Sequence, residues 1–217
     1  VLFYIEYIEY MEITILVDNE SWIIPYCEKL KIEIIKLGHN CKLVKHSNDI
    51  KKGDLLILLG CIKLFKNLNL NTNNIVIHES DLPKGKGWSP LTWQILEGKN
   101  EIPITLFEAN DKLDSGIVYL RDTIKYKGHE LFDEIKDKQG EKTIEMVLKY
   151  INNKPIGFKQ VGDITYYNKR TPQDSEIDIN KPIIEQINLL RVCDNTNYPA
   201  FFKVNNQTYI LRISKNN

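Results

Sequence analysis

The chain has 217 residues, 42% hydrophobic and 27% charged, enough to bury a core without disulfides as one domain with at most a small appendage. Its 29 basic and 29 acidic residues cancel, which argues against a nucleic-acid partner, because phosphate backbones bind basic surfaces. The four cysteines, Cys27, Cys41, Cys61 and Cys193, lack both C-x-x-C spacing and a nearby histidine pair. No zinc site is expected, and reduced thiols fit a cytoplasmic location.

Residues 1–10 are aromatic and apolar but interrupted by Glu6 and Glu9. They match neither a signal peptide nor a membrane span, and read as an extension upstream of Met11, with no membrane partner expected. Residues 13–17 predict a buried strand. Ser21 is a candidate N-cap for a helix over residues 22–37, with Pro25 in its first turn and Gly38 closing it. Residues 41–45 and 54–59 predict two more strands. This order predicts an α/β fold, a Rossmann-like, mostly parallel sheet with helices on both faces. No G-x-G-x-x-G and no Walker loop is present, so dinucleotide and P-loop readings fall away.

The stretch from Asn74 to Trp88 carries the clearest site signal. Ile75, Val76 and Ile77 suit a buried strand, and His78 stands where it stops, the end at which open α/β sheets bind ligands. Leu82-Pro83, Gly85 and Gly87 then turn the backbone sharply enough for close approach to a ligand. Residues 102–107 predict a further strand, and Asp114-Ser115-Gly116 a tight turn before another at 117–120. An aspartate there is placed to point at His78, and such a pair stabilises an imidazolium that handles protons or an oxyanion.

Residues 90–96 predict a short helix with Ser89 as N-cap, and residues 128–151 an amphipathic helical region divided in two by Gly140. His39, His46 and His129 read as surface histidines. Beyond residue 152 the pattern shifts to short extended pieces, a helix over residues 182–191 and a hairpin around Asn205-Asn206, together a small C-terminal helix and β-hairpin appendage. Lys84 and Lys86 read either as diphosphate ligands or as solvated turn residues, and Trp88 as packing or as a wall of an acceptor pocket. Arg170 and Arg191 suit bidentate phosphate recognition, and Tyr166 or Tyr167 suits stacking on a base.

These residues resemble the formyltransferases that draw on 10-formyltetrahydrofolate. That family carries Asn-x-His-x-Ser-x-Leu-Pro, here Val76-Ile-His78-Glu-Ser80-Asp-Leu82-Pro83, and Asp-x-Gly, here Asp114-Ser115-Gly116. Lys169-Arg-Thr-Pro-Gln-Asp-Ser175, Ile177-Asp178, Arg191 and Pro199-Ala-Phe201 are similar to the tail of the sugar-nucleotide branch, so the resemblance covers residues 11–202. It implies a catalytic domain over residues 11–152 and an acceptor-binding subdomain over 153–217. His78 and Asp114 would be catalytic, with Ser80 and Asn74 as candidates for support and no metal. The co-substrate would be 10-formyltetrahydrofolate, the partner a UDP- or dTDP-linked 4-amino-4,6-dideoxy sugar, and homodimers are common in the branch.

Val76 replaces the family's asparagine. Losing one oxyanion donor costs about 10²–10³ in turnover, and Asn74 stands two residues further back, about 7 Å along a strand. Methionyl-tRNA formylation and a catalytically weakened folate- or nucleotide-binding protein remain the rival readings.

Overall fold

The computed structural model describes residues 9–216. Most of the expected N-terminal extension, residues 1–8, lies outside the described residues; Glu9 pairs with Lys154 at 2.5 Å and the Tyr10 hydroxyl donates to Glu12.

The chain runs β1 (Glu12–Leu16), α1 (Ile24–Lys36), β2 (Asn40–Val44), β3 (Gly53–Leu58), β4 (Asn71–His78), β5 (Lys86–Gly87), α2 (Pro90–Leu96), β6 (Glu101–Glu108), β7 (Val118–Lys125) and α3 (Phe132–Asn153). After these come β8 (Tyr166–Tyr167), α4 (Ile187–Val192), β9 (Ala200–Val204) and β10 (Gln207–Leu211). The central sheet has the order β2-β1-β3-β4-β6-β7. Its first four strands are parallel, whereas β6 is antiparallel to both β4 and β7. The reversal follows from α2, whose 7 residues span only about 10 Å and cannot carry the chain back along the sheet. The chain therefore re-enters at the edge it has just left and runs down beside β4. That puts Thr105 opposite His78.

Alternate strand residues Ile13, Ile15, Val17, Leu55, Ile57, Leu59 and Ile75 form the large core with α1, α2 and α3. The intervening residues Leu16, Leu56 and Leu58 meet Ile50 and Phe65 on the other face. Both faces thus carry helical elements, but unequally: the second is closed by 3₁₀ turns at Ser47–Asp49 and Leu68–Leu70 and by connecting loops. The C-terminal helix and hairpin have their own small cluster, Ile177, Leu190, Cys193 and Ala200.

Several expectations are corrected. Ser21 does not cap α1; the helix starts at Ile24 with Ile23 at the cap. Gly140 does not divide the helical region, because α3 is one helix of 22 residues. A Cβ on Gly140 would lie 2.3 Å from the Tyr26 ring, so the glycine is where α1 and α3 touch, and the packing offsets its weak helix propensity. His39 is buried, at 6% exposure, in the turn that returns α1 to β2. Burial also pushes the thiols of Cys27, Cys41 and Cys61 up to about 12, leaving them inert.

Arg191 is corrected as well. At 1% exposure its guanidinium is taken up inside the molecule, donating to the Glu130 carbonyl at 3.2 Å, Asn188 at 2.8 Å and Asn100 at 3.3 Å. It ties α4 to the connection between β7 and α3 and is not available to a phosphate. Glu130 receives the backbone N–H groups of Lys127 and Gly128 and the Lys138 ammonium at 2.6 Å. Burial alone would raise its carboxyl; hydrogen bonds from Lys138 and the Lys127 N–H outweigh that and hold it at about 2.

Gly140→Ala should destabilise the fold by about 1–3 kcal/mol in urea or thermal unfolding, overpacking at Tyr26 exceeding the helix-propensity gain of up to about 1 kcal/mol. Because the folded Glu130 carboxyl lies below its ordinary value of 4.5, its contribution is complete above that value and is lost as pH falls toward 2. Glu130→Gln should therefore be less stable than the parent at pH 7, and the gap should close between pH of about 4.5 and about 2.

Candidate functional site

β4 stands where the sheet changes from parallel to antiparallel pairing, and His78 is its last residue, 7% exposed. The strand keeps its backbone pairing through the polar residues Asn71, Asn73 and Asn74, which match Gly53, Leu55 and Leu56 of β3. The His78 Nε2 lies 2.8 Å from the Gly85 carbonyl and 3.8 Å from Asp114 Oδ2. Both neighbours are acceptors, so Nε2 carries the proton and donates to Gly85. Nδ1 has no hydrogen bond among the described residues, which leaves its lone pair for an incoming group.

Asp114 arrives from the loop after β6. It adopts φ 46, a left-handed conformation that costs a non-glycine residue about 1–2 kcal/mol. A Cβ on Gly116 would lie 1.6 Å from the Glu108 carbonyl, so only glycine lets the turn close against the end of β6. The Gly87 N–H donates to Asp114 Oδ2 at 2.8 Å, fixing the carboxylate near the ring. The carboxylate therefore lies on the Nε2 side of the ring, 3.8 Å away.

The turn between the two halves begins at the cis Leu82-Pro83 bond. Arg121 of β7 donates to the Leu82 carbonyl at 2.5 Å and pairs with Asp81 at 3.2 Å, and Thr105 donates to the Ser80 carbonyl at 2.6 Å. The glycines that follow were expected to admit a ligand. Instead, the space beside them is filled by the protein itself: a Cβ would lie 2.9 Å from the Tyr167 ring at Gly85 and 2.5 Å from the Tyr167 carbonyl at Gly87. β5 and β8 pair in parallel, Lys86 with Tyr166 and Gly87 with Tyr167. The segment after α3 is thus a strap across the site. Phe158 exchanges two 2.8 Å backbone bonds with Val118, and Gln160 donates to the carbonyls of Asp114 and Gly116. Thr165 receives the N–H groups of Gly85 and Lys86.

The structure brings His78, Asp114, Ser80 and Lys86 together. Ser80 is buried within the His78 turn, its N–H donating to the His78 carbonyl at 2.9 Å. Its hydroxyl has no partner among the described residues. Lys86 is buried too, its ammonium 2.5 Å from the Ser115 hydroxyl, which removes it from the solvated lysines and sets it against the Asp114 turn. Asn74 is not at the site. Four residues of strand separate it from His78 by about 13 Å, and its amide donates to the Leu68 carbonyl. Val76 joins the apolar group Leu82, Phe107 and Val118 and offers no donor.

Tyr167 is not free for a base, since Trp93 stacks on it at 6.5 Å, Gly85 covers it and its hydroxyl donates to Glu97. Its neighbour Tyr166 is 64% exposed. Trp88 is 36% exposed with the Lys169 ammonium 4.8 Å above its ring, and Lys84 is exposed. Arg170 caps the 3₁₀ turn Pro172–Ser175, donating to the Asp174 carbonyl and the Ser175 hydroxyl. The Gly85 carbonyl, the Gly87 N–H, Gln160 and Thr165 escaped the sequence reading, because main-chain groups leave no residue signature and the strap lies more than forty residues from the turns it holds. Among the described residues no three His, Cys, Asp or Glu side chains group to hold a metal ion, and no helix is long and apolar enough to cross a membrane.

Residues 39–151, more than half of the chain, match the family described as formyl transferase. The chain is similar to methionyl-tRNA formyltransferase of Thermosipho melanesiensis, 28% identical over 145 residues covering 66% of this chain and 48% of that protein. It is also similar to the bifunctional polymyxin resistance protein ArnA of Wigglesworthia glossinidia brevipalpis, 30% identical over 183 residues, 81% of this chain and 25% of that one. The chain therefore spans about half the length of the first relative and a quarter of the second.

Among solved structures it is similar to methionyl-tRNA formyltransferase from Clostridium thermocellum, with TM-score 0.80, 20% identity and coverage of 94% and 93% of the two chains. A 4-N formyltransferase from Francisella tularensis gives TM-score 0.66 at 20% identity, covering 95% and 98%. HypX from Aquifex aeolicus in complex with tetrahydrofolic acid gives 0.73 at 17%, covering 94% and 37%. These identities establish a shared fold, the Rossmann-like sheet with its C-terminal hairpin. The matched span contains both turns that meet at His78, and this chain belongs to the formyl transferase family.

Proposed function

We propose that the protein is a sugar N-formyltransferase, moving a formyl group from 10-formyltetrahydrofolate to the amine of a UDP- or dTDP-linked 4-amino-4,6-dideoxy sugar. The observation that carries the acceptor class is the exposed shelf beside His78. Tyr166 shares the register of Lys86, Trp88 lies under Lys169, and Lys84 stands free at the turn. Aromatic faces with lysines between them suit a base and a diphosphate. The net charge of zero and the similarity to ArnA over 81% of the chain support the same reading.

The formyl donor supplies the electrophilic carbon. His78 accepts the proton of the attacking amine at Nδ1 and returns it to the departing folate nitrogen, so that one N–H is exchanged for one N–C bond and the proton count balances. While protonated, His78 donates to the oxygen on which charge develops, and Asp114 stabilises the imidazolium. Holding both substrates in attack geometry contributes about 7–11 kcal/mol at the limit. Methionyl-tRNA formylation is the second reading, favoured by the similarity to the Thermosipho melanesiensis enzyme.

Incubation with 10-formyltetrahydrofolate and a panel of UDP- and dTDP-linked 4-amino sugars, with initiator methionyl-tRNA as a separate arm, decides between them by mass spectrometry. Formylated sugar is expected, with His78→Ala lowering kcat by about 10²–10⁴; product in the tRNA arm alone would transfer the assignment. Tyr166→Ala should raise the acceptor KM about tenfold, stacking on one base being worth about 1–3 kcal/mol. Tyr167→Ala should instead lower stability, because that ring supports the glycine turn.

A further inference from the structure

The strap meets the Asp114 turn through one side chain. Gln160 Nε2 donates to the Asp114 carbonyl at 3.0 Å and to the Gly116 carbonyl at 2.9 Å. Both partners are acceptors, so the orientation of the amide is fixed by chemistry. The turn it spans is the strained one. Asp114 sits at φ 46, and a left-handed non-glycine residue persists only where its surroundings over-determine it. Relaxation to the right-handed region would swing the carboxylate, which at present lies 2.8 Å from the Gly87 N–H and 3.8 Å from His78 Nε2.

Two other tethers act nearby. Lys86 Nζ lies 2.5 Å from Ser115 Oγ, and that hydroxyl donates to the Leu113 carbonyl at 2.7 Å. These hold the residue after Asp114 and the residue before it. Among the described residues Gln160 alone bonds to the carbonyl of Asp114 itself, and it does so from a segment anchored at both ends, at Phe158 to β7 and at Thr165 to the glycine turn.

We propose that Gln160 is a positioning residue: its side-chain amide, bridging the Asp114 and Gly116 carbonyls, locks Asp114 in the left-handed conformation that aims its carboxylate at His78. The role rests on His78 and Asp114 being the reaction centre. It ties formation of that centre to docking of the segment that follows α3, so the catalytic pair is complete only when the strap is in place.

Gln160→Met keeps the length of the side chain and removes both donors. The first readout needs no substrate and stands whether or not the acceptor assignment does. The Gly87 amide, bonded to Asp114 Oδ2, should exchange with solvent about tenfold faster or more in the variant, while the Gly85 and Lys86 amides, bonded to Thr165, keep their rates. An unchanged Gly87 amide would overturn the proposal, and so would equal acceleration of all three, which marks general loosening of the strap. The second readout is turnover with an accepted substrate. Gln160→Met should lower kcat about 10- to 100-fold with both KM values within about twofold, and should cost less than about threefold when added to Asp114→Asn. Losses that multiply in the double variant would mean that Gln160 acts independently of Asp114 and would likewise sink the idea.

Discussion

The hydrogen bond from the Gly87 N–H to the Asp114 carboxylate joins the two turns on which the site depends. Without it the halves would be two polar loops at the end of a sheet. With it, Asp114 is held beside a ring already oriented by the Gly85 carbonyl two residues earlier. One glycine turn therefore orients both members of the pair, through a carbonyl at Gly85 and an N–H at Gly87. A main chain packed between β4 and the strap moves less than two long side chains would, so it fixes the geometry at little entropic cost.

The sheet supplies the frame for this arrangement. A helix too short to recross the sheet forces β6 to run antiparallel to β4, and the loop after β6 must then rise again along the face to bring Asp114 to His78. Gly116 permits that rise by letting the chain pass against the Glu108 carbonyl. Arg121 and Thr105, facing the site from β7 and β6, hold the cis-proline turn from the other side. Nothing in this arrangement draws on the Val76 position, whose side chain is spent on Leu82, Phe107 and Val118.

Charged residues divide by burial into those that build and those that meet solvent. Arg191 and Glu130 are inside, and Glu130 is held at about 2 because its bonds to Lys138 and the main chain outweigh the cost of its burial. Arg170 closes a 3₁₀ turn. Of the residues the sequence offered to an acceptor, Tyr166, Trp88 and Lys84 face water, with Lys169 over the Trp88 ring.

The sequence by itself determined the parts whose cause is local. Apolar runs set β1, β3 and the core of β4; Pro90 and Gly98 bracket α2, although Ser89 makes no side-chain capping bond to it; Asn205-Asn206 turns the hairpin. His78 and Asp114 were expected to meet because one ends a strand ahead of a proline-glycine turn and the other opens a glycine turn ahead of the next strand, and they lie 3.8 Å apart. Tertiary structure decided what depends on distant partners. Gly140 reads as a helix breaker until Tyr26 is seen against it, Arg191 as a phosphate ligand until Glu130 and Asn188 enclose it, and the glycines of the turn as ligand contacts until β8 fills the space beside them. Gln160 carries no local signal. Its two hydrogen bonds reach the Asp114 turn more than forty residues back in the chain, and only the folded chain brings them within reach.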